Sequence, residues 1–196
     1  MKNLYLRSML AAACAATLAA CGGSGGNLYL GGSVVGLAKT GLVLQNGDED
    51  LAVAAGASSF VFTKLIKSED RYNITIKTQP KGATCTMVNG SGKANSYSVS
   101  TAYVSCITDQ YTLGGTISGL TSNGLVLVNG SSGSAAPLAG STTFTFDSTV
   151  GDGSAYNINV KTQPPGLICT ISNPNGTMGS ANNTSLVVAC APQNIQ

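Results

Sequence analysis

The chain contains no histidine and no tryptophan, and only 9% of its 196 residues are charged. Each scarcity removes a class of function. Without histidine there is no Ser-His-Asp triad, and with no Cys-x-x-Cys spacing either, a zinc site lacks its usual ligands. Without clusters of Lys and Arg there is no electrostatic footprint for nucleic acid. Helices favour Glu, Lys, Leu and Arg, whereas this chain is rich in Gly, Ser, Thr and Asn. Such a composition suits short strands joined by tight polar turns. Low charge also accompanies disorder, but the regular apolar alternation described below argues against it for most of the chain.

Residues 1–20 read as a helical signal peptide outside the fold. Lys2 and Arg7 form a basic start, and Met9 to Ala20 is an apolar run too short to span a bilayer comfortably. The run ends in Leu18-Ala19-Ala20-Cys21, followed by a Gly/Ser spacer over residues 22–26. This segment resembles the lipobox of bacterial lipoproteins. The resemblance implies that Cys21 is the lipidation site: its thiol takes diacylglycerol, the leader is cut before it, and the new amino group is acylated. Several acyl chains on one residue anchor a protein stably, at about 0.8 kcal/mol per buried CH₂. In that family an Asp after the cysteine often retains the protein at the inner membrane. Gly22 stands there and points to the outer membrane, on its surface or its periplasmic face. An ordinary secretory signal with a chance cysteine is the plainer alternative. Cys14 lies inside the apolar run and leaves with the leader. Without Lys2 and Arg7 the ten basic residues become eight, against eight acidic, so the processed chain is close to neutral.

The remainder is written twice. LGGSVVGL (30–37) recurs as LGGTISGL (113–120), and GLVLQNG (41–47) as GLVLVNG (124–130). YNITIKTQPKGATC (72–85) recurs as YNINVKTQPPGLIC (156–169), and Phe60-Val61-Phe62 as Phe144-Thr145-Phe146. The offset is 83 residues early and 84 later, so one residue was inserted or lost between. The expected layout is one repeat over 27–107, a second over 108–192 and a tail over 193–196. Asp109-Gln110 is a join short enough to leave the repeats little freedom.

Each repeat reads as about seven short strands with apolar residues inward, closed by Asn-Gly and Pro turns. The fold class expected is all-β: two tandem seven-stranded immunoglobulin-like β-sandwich modules, each with one disulfide. The Gly-x-Val-x-Gly-Leu hairpin, the Phe-x-Phe strand and the Tyr-x-Ile-x-Ile strand resemble carboxypeptidase-regulatory or transthyretin-like sandwiches. They also resemble the tandem modules of uncharacterised bacterial surface lipoproteins. The cysteine pairs depart from the regulatory-domain pattern, so that resemblance leaves the strand order open.

Four cysteines remain after Cys21: Cys85, Cys106, Cys169 and Cys190. Of three connectivities the repeat selects Cys85–Cys106 and Cys169–Cys190, since both pairs are 21 positions apart at one place in the module. Opposed in a terminal hairpin, these cysteines would set Met87 against Val104 and Ile171 against Val188. Each bridge would contribute roughly 3 kcal/mol in the chain-entropy model, and would require an oxidising compartment.

No constellation points to catalysis. The carboxylates fall in predicted turns and loops, and the two copies do not share them as a set. The acidic stretch Asp48-Glu49-Asp50 could offer oxygens to Ca²⁺, but its counterpart Ser131-Ser132-Gly133 has no acid, and a solvated hairpin is the simpler reading. Lys64, Lys67, Arg71, Lys77, Lys81 and Lys93 could attract anionic headgroups or glycans, or simply blunt sheet edges. The Gly/Ser/Asn-rich segments between paired cysteines could bind glycans or proteins. No cofactor or metal is expected. The expected role is a non-enzymatic, lipid-anchored envelope protein, structural, adhesive or binding, at the outer membrane. The alternative is a periplasm-facing accessory lipoprotein that binds glycan or a partner protein.

Overall fold

The computed structural model describes residues 26–193; the leader, Cys21 and the last three residues lie outside them. Among the described residues no helix is long and apolar enough to cross a membrane. The first module is built from β1 (Leu30–Val35), β2 (Leu42–Asn46), β3 (Glu49–Val53), β4 (Ser59–Val61), β5 (Arg71–Thr78), β6 (Ala83–Val88), β7 (Ser91–Lys93) and β8 (Val99–Thr108). The second follows with β9 (Gln110–Tyr111), β10 (Leu113–Ser118), β11 (Val126–Asn129), β12 (Ser134–Ala135), β13 (Thr143–Thr145), β14 (Val150–Gly151), β15 (Ala155–Thr162), β16 (Leu167–Ser172), β17 (Asn175–Thr177) and β18 (Asn183–Pro192).

Each module is a β-sandwich of two four-stranded sheets. Their orders are β4-β1-β8-β6 and β3-β2-β5-β7 in the first module, and β13-β10-β18-β16 and β12-β11-β15-β17 in the second. Alternation decides which side chains meet between the sheets. Leu42 and Leu44 point inward from β2, Ile74 from β5, and Ala102, Val104 and Cys106 from β8. They join Leu30, Phe60 and Phe62 in one buried cluster. A separate cluster around Leu113, Leu125, Leu127, Ile158, Leu186 and Val188 fills the second module. Fully burying each such side chain stabilises the fold by roughly 1.5–3 kcal/mol. Each sandwich therefore has its own core.

The expected seven strands are present, with one more in each module. The Gly/Ser/Asn-rich segment between the paired cysteines does not stay a loop. After Asn89 (φ 54°) or Asn173 (φ 56°) it crosses to the other sheet. There it pairs as β7 with β5, or as β17 with β15. Its small polar residues carry no strand pattern, which hid it. It also supplies buried Ala94 and Met178 to the interior. The second module adds a two-stranded ribbon, β9 with β14, where the first has only the single bridge Leu28–Ile66.

The repeated Leu-Gly-Gly has a steric cause. β1 lies between β4, antiparallel, and β8, parallel, and its register with β8 shifts between Leu30 and Gly32. A Cβ on Gly32 would stand 2.1 Å from the Ala102 carbonyl oxygen, and one on Gly115 would stand 1.9 Å from that of Leu186. Only glycine admits that approach.

The repeated Thr-Gln-Pro has a hydrogen-bonding cause. β6 and β16 are edge strands. The Gln79 amide accepts from the Cys85 N–H at 2.8 Å and donates to the Cys85 carbonyl at 2.9 Å. Gln163 does the same for Cys169 at 2.8 and 3.0 Å. One side chain thus replaces a neighbouring strand and closes the edge. Cys85 faces Cys106 and Cys169 faces Cys190 across β6–β8 and β16–β18, with Met87 opposite Val104 and Ile171 opposite Val188. Both pairs are disulfide-bonded, with Cα atoms 4.0 and 3.9 Å apart.

The register also locates the inserted residue. Gln45 pairs with Asp50 across four turn-side residues, whereas the equivalent Val128 pairs with Ser134 across five. Gln163→Ala leaves a part-buried N–H and C=O of Cys169 unpaired. The expected loss is about 1–3 kcal/mol for the second module, read from urea unfolding. A loss below ~0.5 kcal/mol would mean that solvent serves that edge equally well.

Candidate functional site

An open groove lies at the same place in each module, where the Asn-Gly turn approaches the short crossing strand. The first holds about 470 Å³ and is lined by Asn46, Arg71, Tyr72, Asn73 and Gly92. The second holds about 590 Å³ around Asn129, Tyr156, Asn157, Asn175 and Gly176. Its origin is a cross-strand pair of unequal size. Tyr72 is opposite Gly92 and Tyr156 opposite Gly176. Each tyrosine, half-buried against its core, leans over its glycine. A Cβ there would stand 2.6 Å from the Tyr72 hydroxyl or 2.3 Å from the Tyr156 hydroxyl. The Tyr156 hydroxyl accepts from Asn183 Nδ2 at 3.2 Å; the equivalent of Asn183 is Val99, which cannot donate.

The Asn-Gly dipeptides do more than turn the chain. In the first module the turn residues are Gly47 and Asp48, and Asn46 ends β2. Its carboxamide oxygen accepts the Asn73 N–H at 2.9 Å, as Asn129 accepts that of Asn157 at 3.0 Å. The turn is thereby tied to the next strand and forms one wall of the groove.

The acidic stretch does not converge. Asp48 takes Lys64 at 2.8 Å, and Asp50 takes Lys77 and, at 3.0 Å, Gln45. Glu49 accepts from the Thr63 N–H at 2.7 Å, the Thr63 hydroxyl at 2.6 Å and the Lys64 N–H at 3.1 Å. Among the described residues no three metal-ligating side chains gather. The Lys64 ammonium beside Asp48 lowers that carboxyl, and Asp48 in return raises Lys64. Burial opposes the charge on Glu49, but the Thr63 and Lys64 donors outweigh it and its pKa is lowered. Of the basic residues singled out from the sequence, Lys64, Lys77 and Lys93 are each paired with a carboxylate. They form no free cationic patch.

The clasp made by Glu49 reappears with its polarity reversed. In the second module the acid is Asp147, at the position equivalent to Thr63. It accepts from the Ser134 N–H and hydroxyl at 2.8 and 2.9 Å, and these bonds lower its pKa. Either way a carboxylate ties the strand after the hairpin to the segment leaving the Phe-x-Phe strand.

A third cluster joins the modules. Lys39 donates to the Asp152 carbonyl at 2.6 Å and to its carboxylate at 2.8 Å. The Ser180 hydroxyl holds the other carboxylate oxygen at 2.7 Å. The Asp152 N–H donates to the Asp109 carbonyl at 2.8 Å, and the Asp109 N–H to the Gly82 carbonyl at 3.0 Å. A Cβ on Gly82 would meet the Asp152 carboxylate at 2.4 Å, so the first module is shaped to receive it. Sequence reading places Asp152 in a turn, which it occupies, and gives Lys39 no role. The available signal was an asymmetry: Lys39 and Asp152 correspond to Ser122 and Ser68 in the opposite copies, so neither belongs to the shared module.

No family model matches the chain, and no curated protein matches it. Among solved structures it is similar to the shaft pilin SpaA of Lactobacillus rhamnosus GG, as a single-substitution mutant. That likeness has 11% identity and a TM-score of 0.32 over 87% of this chain and all of that one. It is also similar to the major pilin protein T-13 of Streptococcus pyogenes serotype GAS131465, with 9% identity and a TM-score of 0.32 over 85% of this chain and 97% of that one. Superpositions at that level leave function open.

Lys39 above all, then Ser180, holds the Asp152 carboxyl below its ordinary range. A depressed carboxylate contributes stability above its unfolded pKa, about 3.9 for Asp, and loses it as pH falls through the lower folded value. The joint should therefore be unchanged between pH 5 and 8, on the order of a unit or more above that value, and loosen below it. Asp152→Asn should loosen it at neutral pH. Backbone ¹⁵N relaxation would then give the modules separate tumbling times; one shared time in the variant would show that the ion pair does not set the joint.

Proposed function

We infer that the chain is a non-enzymatic, lipid-anchored protein of the bacterial cell envelope, with a structural, adhesive or binding role at the outer membrane. The observation that carries this reading is the joint. Two modules with separate cores and one internal cystine each are held together by Lys39, Asp109 and Asp152. A short stiff body on a flexible Gly/Ser spacer presents a surface at a fixed distance from its anchor. The cystines need an oxidising compartment, in keeping with the lipobox-like segment at Cys21. Immunoglobulin-like tandem repeats of the surface-lipoprotein kind suit the same role. The acids are each taken up by a cation, a hydroxyl or an amide. That arrangement suits a scaffold better than an acid/base pair.

The duplicated groove supports the binding half of this reading. On the alternative reading it faces the periplasm and serves an envelope partner or glycan.

The test is protease accessibility on intact cells beside lysed cells. Digestion of both modules in intact cells is expected of an adhesive surface protein, and protection until lysis would move the role to the periplasm. Cys21→Ser should release the chain from the membrane fraction. A variant that stayed membrane-bound and normally processed would overturn the anchor.

A further inference from the structure

We propose that the second module's groove binds a neutral oligosaccharide, with the Asn129 carboxamide as its central donor. The proposal rests on the binding role inferred above and names the ligand class. Asn129 is only 9% exposed and is the one buried polar residue among those described. Its oxygen is committed to the Asn157 N–H. Its Nδ2 has no protein partner among the described residues. Among the residues that are not exposed, no side-chain polar atom is both sealed from solvent and unpartnered, so that Nδ2 reaches solvent, and Asn129 is one of the residues that line the groove. A buried amide held by one atom, with the other offered to a cleft, is set to donate to a hydroxyl or ring oxygen.

Three further features select the ligand. The half-buried Tyr156 beside Gly176 gives an apolar wall against which a sugar ring can lie. No residue lining the groove is ionised at neutral pH, and the second module carries only Asp109, Asp147, Asp152 and Lys161 as charges. Asp152 is held by Lys39 and Asp147 by Ser134, and Lys161 lines the adjoining cleft rather than the groove, so an anionic ligand would find no cation within the groove itself. The volume, about 590 Å³, lies in the range of small-ligand sites. A peptide seeking a strand edge would find in β17 only three residues.

The first module's groove is smaller and contains Arg71. In the second, Ala155 stands where the first has Arg71, and the longer hairpin sets Ser131 and Ser132 beside the groove. It also opens a second cleft of about 350 Å³ on the other side of the turn, which shares Gly130 and Ser131. The duplication supplied two scaffolds: one insertion lengthened the second's hairpin, and Ala155 in the place of Arg71 left its groove uncharged.

The test uses the full chain in a zwitterionic detergent without a sugar headgroup, titrated with maltohexaose, cellohexaose, chitohexaose and an anionic uronic-acid hexamer. Saturable shifts of the Asn129 side-chain NH₂ signals with at least one neutral chain, and none with the uronic acid, are expected. Asn129→Asp keeps the acceptor for Asn157 and removes the donor; Ser131→Trp crowds the exposed rim. Each should weaken binding at least tenfold with the ¹⁵N spectrum otherwise preserved. The proposal is overturned if no neutral chain binds, if only the anionic chain or a peptide library does, or if both variants bind like the parent. Membrane anchoring through Cys21 is read separately, so failure here leaves the envelope reading standing.

Discussion

Each module depends on the slot that β1 occupies between β4 and β8. It pairs the first strand of the module with the last, in parallel, in the interior of a sheet. Leu30 meets Val99 and Leu113 meets Asn183, so closure waits until nearly the whole repeat is in place. Such non-local pairing slows the folding of the module. The slot is also narrow, which is why two glycines stand together where a strand would ordinarily carry side chains. The cystine and the Gln clasp act on the far edge of the same sheet. β8 holds β1 on one side and, through the cystine hairpin, β6 on the other, and the Gln amide finishes the edge. Slot, hairpin and clasp recur in both copies as Leu-Gly-Gly, Cys…Cys and Thr-Gln-Pro.

What the copies do not share is where they specialise. The first module carries most of the charge, much of it consumed in local pairs, and it alone has the lysine that receives Asp152. The second is almost uncharged and has the longer hairpin. Their carboxylate clasps use opposite donors and acceptors for one closure. The packing fixes that the two segments be tied, and leaves open which of them brings the acid.

Much of the architecture was legible because it follows from short periods and repetition. Alternation placed the inward residues of β5 and β15, and the shared cysteine spacing matched the hairpin register. β7 and β17 were not legible, since Gly, Ser and Asn have low strand propensity and pair there only because β5 and β15 offer an edge. The Asn-Gly turns were visible as turns, but the bond from the Asn side chain to the following strand is a tertiary fact. The grooves were invisible for the same reason: they arise from a tyrosine opposite a glycine 20 positions away. Lys39 and Asp152 were readable only as departures from the repeat, and departures on a surface usually mean little. Cys21 lies outside the described residues, and its role stays where the sequence put it.

A surface held at a fixed distance from its anchor requires the two modules to form one stiff body. Residual dipolar couplings on the full chain in a weakly aligning medium test this directly. A single alignment tensor fitting the backbone amides of both modules is the predicted result. Two tensors of clearly different magnitude would mean that the modules move independently, and that the contact of Lys39 with Asp152 does not fix how they sit.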